Sequence, residues 1–166
     1  VLVADDPSMH SSQNEQDSRF YGKFAFVPIL EPSTQQEAYD MMSYAFELSE
    51  RAQLPVLMRV TTRMAHSRAV VNLRPVRQEN ELKFPDDLTR WVLLPAIARK
   101  RYMVLLGQQP ELEKTSESSP FNRFVDGKNH KCGVIACGIG YNYLMENFPA
   151  GCDFPVLKVS QYPLPK

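Results

Sequence analysis

The sequence predicts an α/β fold that contains parallel βαβ units. Its clearest segment is an amphipathic helix between two apolar runs, at residues 24–30 and 56–60. A second strand–helix–strand pattern lies near the end of the chain. Residues 132–139 and 154–159 are strand-like there, and residues 141–148 predict a helix between them. Strand, helix and strand at this spacing favour parallel pairing through a right-handed crossover.

The composition is that of a soluble globular protein. Of the 166 residues, 43% are hydrophobic, and 19 Lys and Arg balance 19 Asp and Glu. Without an excess of basic residues, sequence-independent nucleic-acid binding is not expected, because it needs cations that displace the counterions of phosphates. No apolar run approaches the roughly 20 residues that span a bilayer. We therefore expect a cytoplasmic protein with neither nucleic acid nor membrane as partner, whose three cysteines are reduced.

The start of the chain predicts a buried strand over residues 1–4, ended by Asp5-Asp6-Pro7. Residues 8–22 are polar and aperiodic apart from one short predicted helix. In the apolar run at 24–30, Pro28 favours a sheet margin or a strand end, because proline cannot donate to a sheet ladder. A chain that begins without Met and inside a buried strand is typical of a piece of a larger protein, and we expect this one to be such a piece.

The segment after Leu30 carries the clearest helix signal. Ser33 or Thr34 can cap this helix, and Gln36 or Glu37 can complete a capping box. Apolar residues then recur at helical spacing, namely Ala38, Met41, Met42, Ala45, Leu48 and Ala52. This spacing predicts one apolar helix face that packs on a sheet.

The middle of the chain predicts fewer regular elements. Residues 70–78 alternate in polarity but include two arginines and Pro75, which indicates an edge strand or a linker. A helix is predicted from about residue 86 to 106, and Pro95 should kink or split it. Residues 111–129 are polar and irregular, and we interpret them as a mobile loop.

The main candidate site is a set of polar residues that follows the first predicted strand. Its members are Asp5, Asp6, His10, Gln13, Asn14, Asp17 and Arg19. Ligands of open α/β sheets bind beyond the carboxyl ends of the strands. Arg19 is the fixed cation of this set, and a guanidinium can hold a carboxylate through two hydrogen bonds. The alternative is a solvated loop held by its own Asx and Ser turns.

Metal binding is a weaker alternative for the same region. Asp5, Asp6 and His10 are ligand types that suit Mg, Mn or Zn, although their spacing matches no established site. A metal-dependent hydrolase would be the corresponding function. Cys132 and Cys137 should lie on opposite faces of a strand, so we predict neither a shared metal nor a disulfide for them.

Two glycines follow a predicted strand and open a predicted helix. Gly138-Ile139-Gly140 begins like a dinucleotide-binding fingerprint, but Tyr143 stands where the third glycine belongs. The glycines therefore favour a tight turn from strand to helix over a nucleotide site.

Collinear motifs cover nearly the whole chain and are least specific between about residues 75 and 130. They are the stretch 4–19, Glu31-Pro32-Ser33, Gln36-Glu37-Ala38, Pro55-Val56-Leu57, Arg59-Val60-Thr61-Thr62-Arg63, Gly138-Ile139-Gly140-Tyr141-Asn142-Tyr143, Pro155-Val156-Leu157-Lys158 and Pro163-Leu164-Pro165. Together these motifs resemble the large (alpha) subunit of indolepyruvate ferredoxin oxidoreductases, within the thiamine diphosphate superfamily of 2-oxoacid oxidoreductases.

The resemblance implies an enzyme that oxidatively decarboxylates aryl 2-oxoacids to acyl-CoA products. Thiamine diphosphate, Mg, iron–sulfur clusters and CoA would be the cofactors of the intact enzyme, with a small (beta) subunit and ferredoxin as partners. The fold would combine part of a pyrimidine-binding domain (residues 1–72), a linker with a helix (73–130) and the start of a transketolase C-terminal-like domain (131–166).

Few of the family's site residues can be assigned to positions of this sequence by the resemblance. Arg19, followed by Gly22, resembles the arginine that related enzymes place against the substrate carboxylate. Gln13 and Asn14 would line the same pocket. The family's activating glutamate, its Gly-Asp-Gly diphosphate motif and its four-cysteine cluster motif have no counterpart here. We therefore expect this chain to carry no catalytic residue, no cofactor and no activity of its own.

A different class of function is a free-standing module that binds a small carboxylate or acts in assembly. Whether the chain is a fragment of an enzyme subunit or a free-standing module, part of a parallel sheet exposes strand edges and apolar faces. We therefore expect the chain to form a homo-oligomer that covers them.

Overall fold

The computed structural model describes residues 1–5, 7–10, 13–14, 16–79 and 81–164, and its strands form two small sheets. The strands are β1 (Leu2–Ala4), β2 (Ile29–Leu30), β3 (Leu57–Arg59), β4 (Arg123–Val125), β5 (Val134–Cys137), β6 (Val156–Val159) and β7 (Gln161–Tyr162). The helices are α1 (Ser18–Ala25), α2 (Gln35–Ala52), α3 (Thr62–His66), α4 (Pro95–Glu117) and α5 (Ile139–Asn147), with a short 3-10 helix at Leu88–Trp91. The predicted α/β class is confirmed.

Both predicted βαβ units are present. In the first sheet the strand order is β1-β3-β2-β7, and β3 pairs in parallel with both β1 and β2. In the second sheet the order is β4-β6-β5, with β5 and β6 parallel. The units are thus β2–α2–β3 and β5–α5–β6. The remaining strands pair antiparallel, β7 with β2 and β4 with β6.

Helix α2 begins with the predicted caps. The backbone N–H of Glu37 donates to the hydroxyl of Thr34 at 3.1 Å. The Glu37 carboxylate in turn accepts from the backbone N–H of Ser33 at 2.6 Å and from its hydroxyl at 2.7 Å. Thr34 is therefore the cap, and Glu37 reaches one residue further back than in the standard capping box.

The main apolar core lies between α2 and its two neighbouring strands. It consists of Leu30, Met41, Ala45, Leu48, Val56 and Met58. Helix α2 supplies Met41, Ala45 and Leu48, which belong to the predicted apolar face. Because β2 and β3 are covered by this face, the first βαβ unit is the best-packed part of the described chain.

The first strand is less buried than predicted. Residues 2–4 do form β1, but Leu2 and Val3 are each more than half exposed. The prediction of a buried strand was wrong, because β1 pairs on one side only and lies at the edge of its sheet. Position at a sheet edge is not encoded in an apolar run.

The second apolar run is divided between two elements. Helix α1 continues through Ala25, and only Ile29 and Leu30 form the strand. Pro28 directly precedes β2, so its predicted place at a strand end is confirmed.

Helix α4 is longer than predicted and begins later. Pro95 occupies its first turn, where a missing N–H costs no hydrogen bond. The short 3-10 helix at Leu88–Trp91 precedes it, so the predicted helix is split before Pro95 as expected. The helix then continues through Pro110 to Glu117, so the prediction of an irregular loop was wrong for residues 111–117. Leu112 and Ser116 are buried there, and this tertiary packing outweighs the polar composition and the proline. The loop prediction was also wrong for residues 123–125, which form β4 and pair with β6.

The segment before α4 lies along α2. Residues 68–79 form neither helix nor strand, which confirms the linker interpretation of 70–78 over the edge strand. The Gln36 side chain bonds the backbone N–H of Asn72 at 2.7 Å and its carbonyl at 3.3 Å. Arg74 bonds Asp40 at 2.7 Å.

A single residue, Ser160, connects the two sheets. It separates β6 in one sheet from β7 in the other. The Asn122 side-chain oxygen accepts from the backbone N–H groups of Ser160 at 2.7 Å and Gln161 at 2.9 Å. The Ser116 hydroxyl donates to the Gln161 carbonyl at 2.8 Å. These bonds fix β7 beside β2 and attach the end of α4 to it.

The location of the core predicts how two leucine substitutions will differ. Leu48 is 1% exposed and Leu82 is 98% exposed. We expect Leu48→Ala to lower the free energy of unfolding by about 2–5 kcal/mol, because it removes buried methyl groups and leaves a cavity. Leu82→Ala should change it by less than about 0.5 kcal/mol. Urea unfolding followed by circular dichroism measures both, and equal effects would contradict the assigned core.

Candidate functional site

A buried ion cluster lies where β2, β3 and α1 meet. Arg59, on the last position of β3, bonds the Glu31 carboxylate at 2.5 Å, and both side chains are less than one-tenth exposed. The Arg59 Nε also lies 3.2 Å from an oxygen of Asp17. Asp17 caps α1 and holds Arg19 through contacts of 2.6–3.0 Å to Nε and Nη2. One carboxylate is therefore shared between two arginines.

The same cluster reaches β7 through a tyrosine. The Tyr162 hydroxyl donates to the second oxygen of Glu31 at 3.2 Å. Burial, together with the charge of Glu31 and a hydrogen bond with Cys137, raises the pKa of Tyr162 above its ordinary value. The phenol is therefore protonated at neutral pH and serves as a hydrogen-bond donor to Glu31.

The pKa of Asp17 is shifted in the other direction. Burial alone would raise it, but the hydrogen bonds from Arg19 and the charges of Arg19 and Arg59 outweigh burial and lower it below 3.8. Asp17 is therefore ionised at neutral pH. In turn, its hydrogen bond raises the pKa of Arg19, which keeps the guanidinium charged.

A cavity of about 690 Å³ opens beside this cluster, between α1, α4 and the end of β7. Its apolar lining consists of Phe20, Phe26, Val27, Ile29, Pro163 and Leu164. Its polar lining includes Asp17, Arg19, Lys23, Glu113 and Tyr162. The cavity thus combines an aromatic and aliphatic wall with a charged end, and we call it the Arg19 cavity.

Close packing of α1 on β2 places Arg19 at this cavity. A Cβ atom on Gly22 would lie 2.3 Å from a side-chain carbon of Ile29, so the helix can approach the strand only because this residue is glycine. Arg19 is one turn earlier on the same helix, and its side chain is 38% exposed. Since Asp17 uses Nε and Nη2, a ligand carboxylate bound at the same time would use the second fork, formed by Nη1 and Nη2.

The other predicted site residues are not gathered at this cavity. Gln13 and Asn14 are exposed, and the residues that line the two described cavities do not include them. His10 lies on a second cavity, and Asp5 is exposed. Asp6 lies outside the described residues.

Sequence analysis did not identify Glu31, Arg59 or Tyr162 as site residues. A usable signal was present for two of them. Arg59 is the one charged residue in the predicted strand 56–60, and Glu31 directly follows the neighbouring strand. A charge in a buried strand needs a partner, and adjacent parallel strands bring their ends together. Tyr162 gave no such signal, because its pairing with β2 is a long-range contact.

Gly138 packs directly against the ion cluster. It has a φ of +50° at the start of α5, which confirms the tight strand-to-helix turn predicted there. A Cβ atom at this position would lie 2.7 Å from Oε1 of Glu31. The absence of a side chain therefore serves both the turn and the approach of α5 to Glu31.

The described residues include neither a metal-binding group of side chains nor a helix that could span a membrane. Within residues 1–5, 7–10, 13–14, 16–79 and 81–164, no group of three or more His, Cys, Asp or Glu side chains is arranged to hold a metal ion. Cys132, Cys137 and Cys152 are free thiols. Over the same part of the chain, none of the helices has both the length and the apolar character needed to cross a bilayer.

Two glycine substitutions test the contact between α5 and Glu31. Gly138→Ala should destabilise the protein by about 2 kcal/mol or more, since it adds backbone strain to a clash with a buried carboxylate. Gly140→Ala is the matched control, because open space surrounds this helical position. It should be neutral or stabilising by up to about 1 kcal/mol. Thermal and urea unfolding would contradict the assignment if the two variants shifted stability in the same direction.

Comparison with known proteins places this chain among a set of archaeal relatives. No protein-family model matches it. It is 45% identical over 169 aligned residues to "Indolepyruvate oxidoreductase subunit IorA" of Methanothermobacter thermautotrophicus, an alignment that covers 99% of this chain and 27% of that protein. The proteins of the same name from Archaeoglobus fulgidus and Thermococcus kodakarensis are 42% and 46% identical over 100% and 88% of this chain.

These alignments cover 27% of the Archaeoglobus protein and 24% of the Thermococcus protein. The chain therefore spans about a quarter of the length of these relatives. Its predicted resemblance is confirmed, and over the part that they share this chain is related to the IorA subunits of indolepyruvate oxidoreductases.

Proposed function

We propose that this chain supplies the 2-oxoacid-binding part of an aryl 2-oxoacid ferredoxin oxidoreductase. The Arg19 cavity would bind the substrate, with indolepyruvate as the expected member of the class. The observation that carries the proposal is a charged guanidinium in the lining of a cavity that also has aromatic and aliphatic walls. The names of the relatives support the same substrate class.

The carboxylate and the ring of an aryl 2-oxoacid each have complementary groups in the cavity. The carboxylate would pair with the Nη1 and Nη2 fork of Arg19, which gives two charge-assisted hydrogen bonds. The ring would lie against Phe20, Phe26 and Leu164, where burial of its apolar area favours binding. The volume of about 690 Å³ falls within the usual range for small-molecule sites.

The ion cluster would orient the substrate without reacting with it. Asp17 holds Arg19 at two nitrogens, so the guanidinium plane is fixed before the ligand arrives. Fixing this plane lowers the entropy lost on binding. With the carboxylate bound to Arg19 and the ring on the opposite wall, the 2-oxo group between them would be held in one orientation.

The described residues do not fit the cofactors that the resemblance implies. They contain no group of three or more His, Cys, Asp or Glu side chains that could hold a metal ion, and the free thiols Cys132, Cys137 and Cys152 are fewer than a four-cysteine cluster needs. Decarboxylation and electron transfer, with thiamine diphosphate, iron–sulfur clusters and CoA, remain proposals for the whole enzyme with its small subunit and ferredoxin.

The domain assignment belongs to the same proposal. Residues 1–72 would be part of a pyrimidine-binding domain, 73–130 a linker with a helix and 131–166 the start of a transketolase C-terminal-like domain. The two βαβ units support the separation of the first segment from the last, since each unit lies in a different sheet. The boundaries are crossed by β4, which joins the second sheet from the linker, and by β7, which joins the first sheet from the last segment.

Self-association is a further proposal for the isolated chain. Strand β1 presents an exposed edge with Leu2 and Val3 on it, and such edges pair readily with other strands. The segment before α4 adds exposed apolar side chains, among them Leu82 and Phe84. Monomeric proteins rarely leave large apolar patches uncovered.

Binding of indole-3-pyruvate to the 166-residue chain tests the substrate proposal. Calorimetry should show that Arg19→Met weakens binding about 10-fold to 100-fold, which corresponds to the loss of charged hydrogen bonds. Arg19→Lys should recover part of the affinity, because it keeps the charge without the fork. Pyruvate should bind at least about 10-fold more weakly than indole-3-pyruvate, since it lacks the ring that the apolar wall covers.

The matched control for this experiment is Lys23→Met, which removes the other cation that lines the cavity. It should change the affinity for indole-3-pyruvate by less than about 3-fold, because a lysine at the rim attracts the ligand without fixing it. If Lys23→Met and Arg19→Met weakened binding equally, the assigned role of Arg19 would be wrong.

Light scattering during size-exclusion chromatography tests self-association. We expect a mass of at least about twice the 19.0 kDa of one chain, because pairing would cover the exposed edge and apolar side chains. The double variant Leu82→Lys/Phe84→Lys should lower the apparent mass or the association constant. A mass of 19.0 kDa at every concentration would contradict the proposal.

A further inference from the structure

A second cavity, of about 1090 Å³, is lined by other residues than the Arg19 cavity. Arg59 is part of its lining, whereas Arg19 and Tyr162 line the first cavity. Both cavities therefore border the ion cluster. The proposed function uses only the first of them.

The second cavity is a cleft between α3 and α5. Helix α5 contributes residues at spacings of three and four, namely Ile139, Asn142, Tyr143 and Glu146, which form one helix face. Helix α3 contributes Thr62, Arg63 and His66, and residues 7–10 contribute Pro7, Ser8 and His10. We call this space the α3–α5 cleft.

Local contacts fix the two helices that form the cleft. The Asn142 side chain donates to the Ser33 carbonyl at 2.6 Å, which attaches α5 to the start of α2. On α3, the buried Met64 anchors the helix, and the Thr61 hydroxyl caps it by accepting from the Met64 N–H at 3.3 Å. These contacts keep Arg63 at the cleft.

Arg63 is held across the cleft by an aromatic ring. Its guanidinium carbon lies 5.5 Å from the ring centroid of Tyr143, which is a cation–π distance. A cation–π contact uses no N–H donor in a hydrogen bond, so the guanidinium can still donate to an acceptor. Arg59, by contrast, is already neutralised by Glu31 and Asp17. Arg63 is therefore the arginine of this cleft whose charge is available to a ligand.

The remaining lining favours an anion. Two histidines, His10 and His66, add imidazole N–H donors, whereas Glu146 is the one carboxylate among the described residues that line the cleft. Helix α5 also begins here at Gly138, which provides no side-chain cap for the N–H groups of the first turn. The positive end of the helix dipole attracts negative charge, and the Glu31 carboxylate already lies against Gly138 at this helix start. The donors that we assign to a ligand are therefore those of Arg63 and the two imidazoles.

We propose that the α3–α5 cleft binds a small organic phosphate. Guanidinium and imidazole N–H groups match the several acceptors of a phosphate, and Arg63 supplies the planar fork that such groups prefer. The cleft is much larger than a phosphate ion needs, so the ligand is a phosphate ester whose organic part occupies the rest of the space. This inference does not rest on substrate binding in the Arg19 cavity.

Calorimetric titration of the 166-residue chain with glycerol 3-phosphate and with inorganic phosphate tests the proposal. We expect one saturable site for which the ester binds more tightly than the free ion. Arg63→Gln should weaken ester binding at least about 10-fold, as the loss of a charged hydrogen bond requires. Glu146→Gln should strengthen it by about 2-fold to 5-fold, because it removes an opposing charge.

Arg90→Gln is the matched control. Arg90 also lies over an aromatic ring, at 5.3 Å from the Trp91 centroid, but it is outside the residues that line either described cavity. Its substitution should leave the ester affinity unchanged within about 2-fold. Circular dichroism verifies that Arg63→Gln is folded, and His66→Gln provides a second lining variant that should also weaken binding.

Three results would overturn the inference. The first is no saturable binding at up to about 10 mM ester, a concentration at which even a weak specific site fills. The second is an equal loss of affinity in Arg63→Gln and Arg90→Gln, which would indicate general charge attraction. The third is equal affinity for inorganic phosphate and the ester, which would exclude an organic phosphate as the ligand class.

Discussion

The structure depends on the ion pairs that Arg59 forms with Asp17 and Glu31. Arg59 lies at the end of a buried strand, where an unpaired guanidinium would be strongly unfavourable. Glu31 compensates it from the neighbouring strand, and Asp17 approaches it from the cap of α1. Removing one partner of such a pair leaves an uncompensated buried charge and typically costs about 3–5 kcal/mol. The cluster therefore fixes how α1, β2 and β3 are arranged.

The cluster also determines where a ligand can bind. Asp17 is shared between Arg59 and Arg19, so the position of Arg19 at its cavity is set by the same carboxylate that helps to neutralise the core arginine. On the other side, Gly138 brings the start of α5 against Glu31, and α5 then forms a wall of the second cavity. The Arg19 cavity and the α3–α5 cleft thus both border the ion cluster, and each is lined by an arginine.

Prediction from sequence succeeded where the signal is local. The cap at Thr34, the apolar face of α2, the turn at Gly138 and both βαβ units follow from short-range patterns of residues. Arg19 could be selected because it is the fixed cation after the first strand, and the structure places it on a cavity. Its role in substrate binding stays a prediction, as do the roles of Gln13 and Asn14.

Prediction failed where the outcome depends on distant parts of the chain. The burial of β1 depends on which strand lies beside it, and the length of α4 depends on the packing of Leu112 and Ser116. The edge position of one strand and the burial of one helix turn are properties of the assembled molecule. Neither is contained in the composition of the segment itself.

The sequence by itself determined the class of fold, its two βαβ units and the relationship to the IorA subunits, because periodicity, capping and motif order act over short distances along the chain. Tertiary structure alone decided that Arg59 meets both Asp17 and Glu31, that Tyr162 bonds Glu31, that Phe20 and Leu164 share a cavity with Arg19, and that α3 faces α5. The physical reason is that charge compensation and cavity shape arise between residues that are up to 131 positions apart. Their pairing follows from the way the strands are ordered in the sheets, and no local pattern specifies that order.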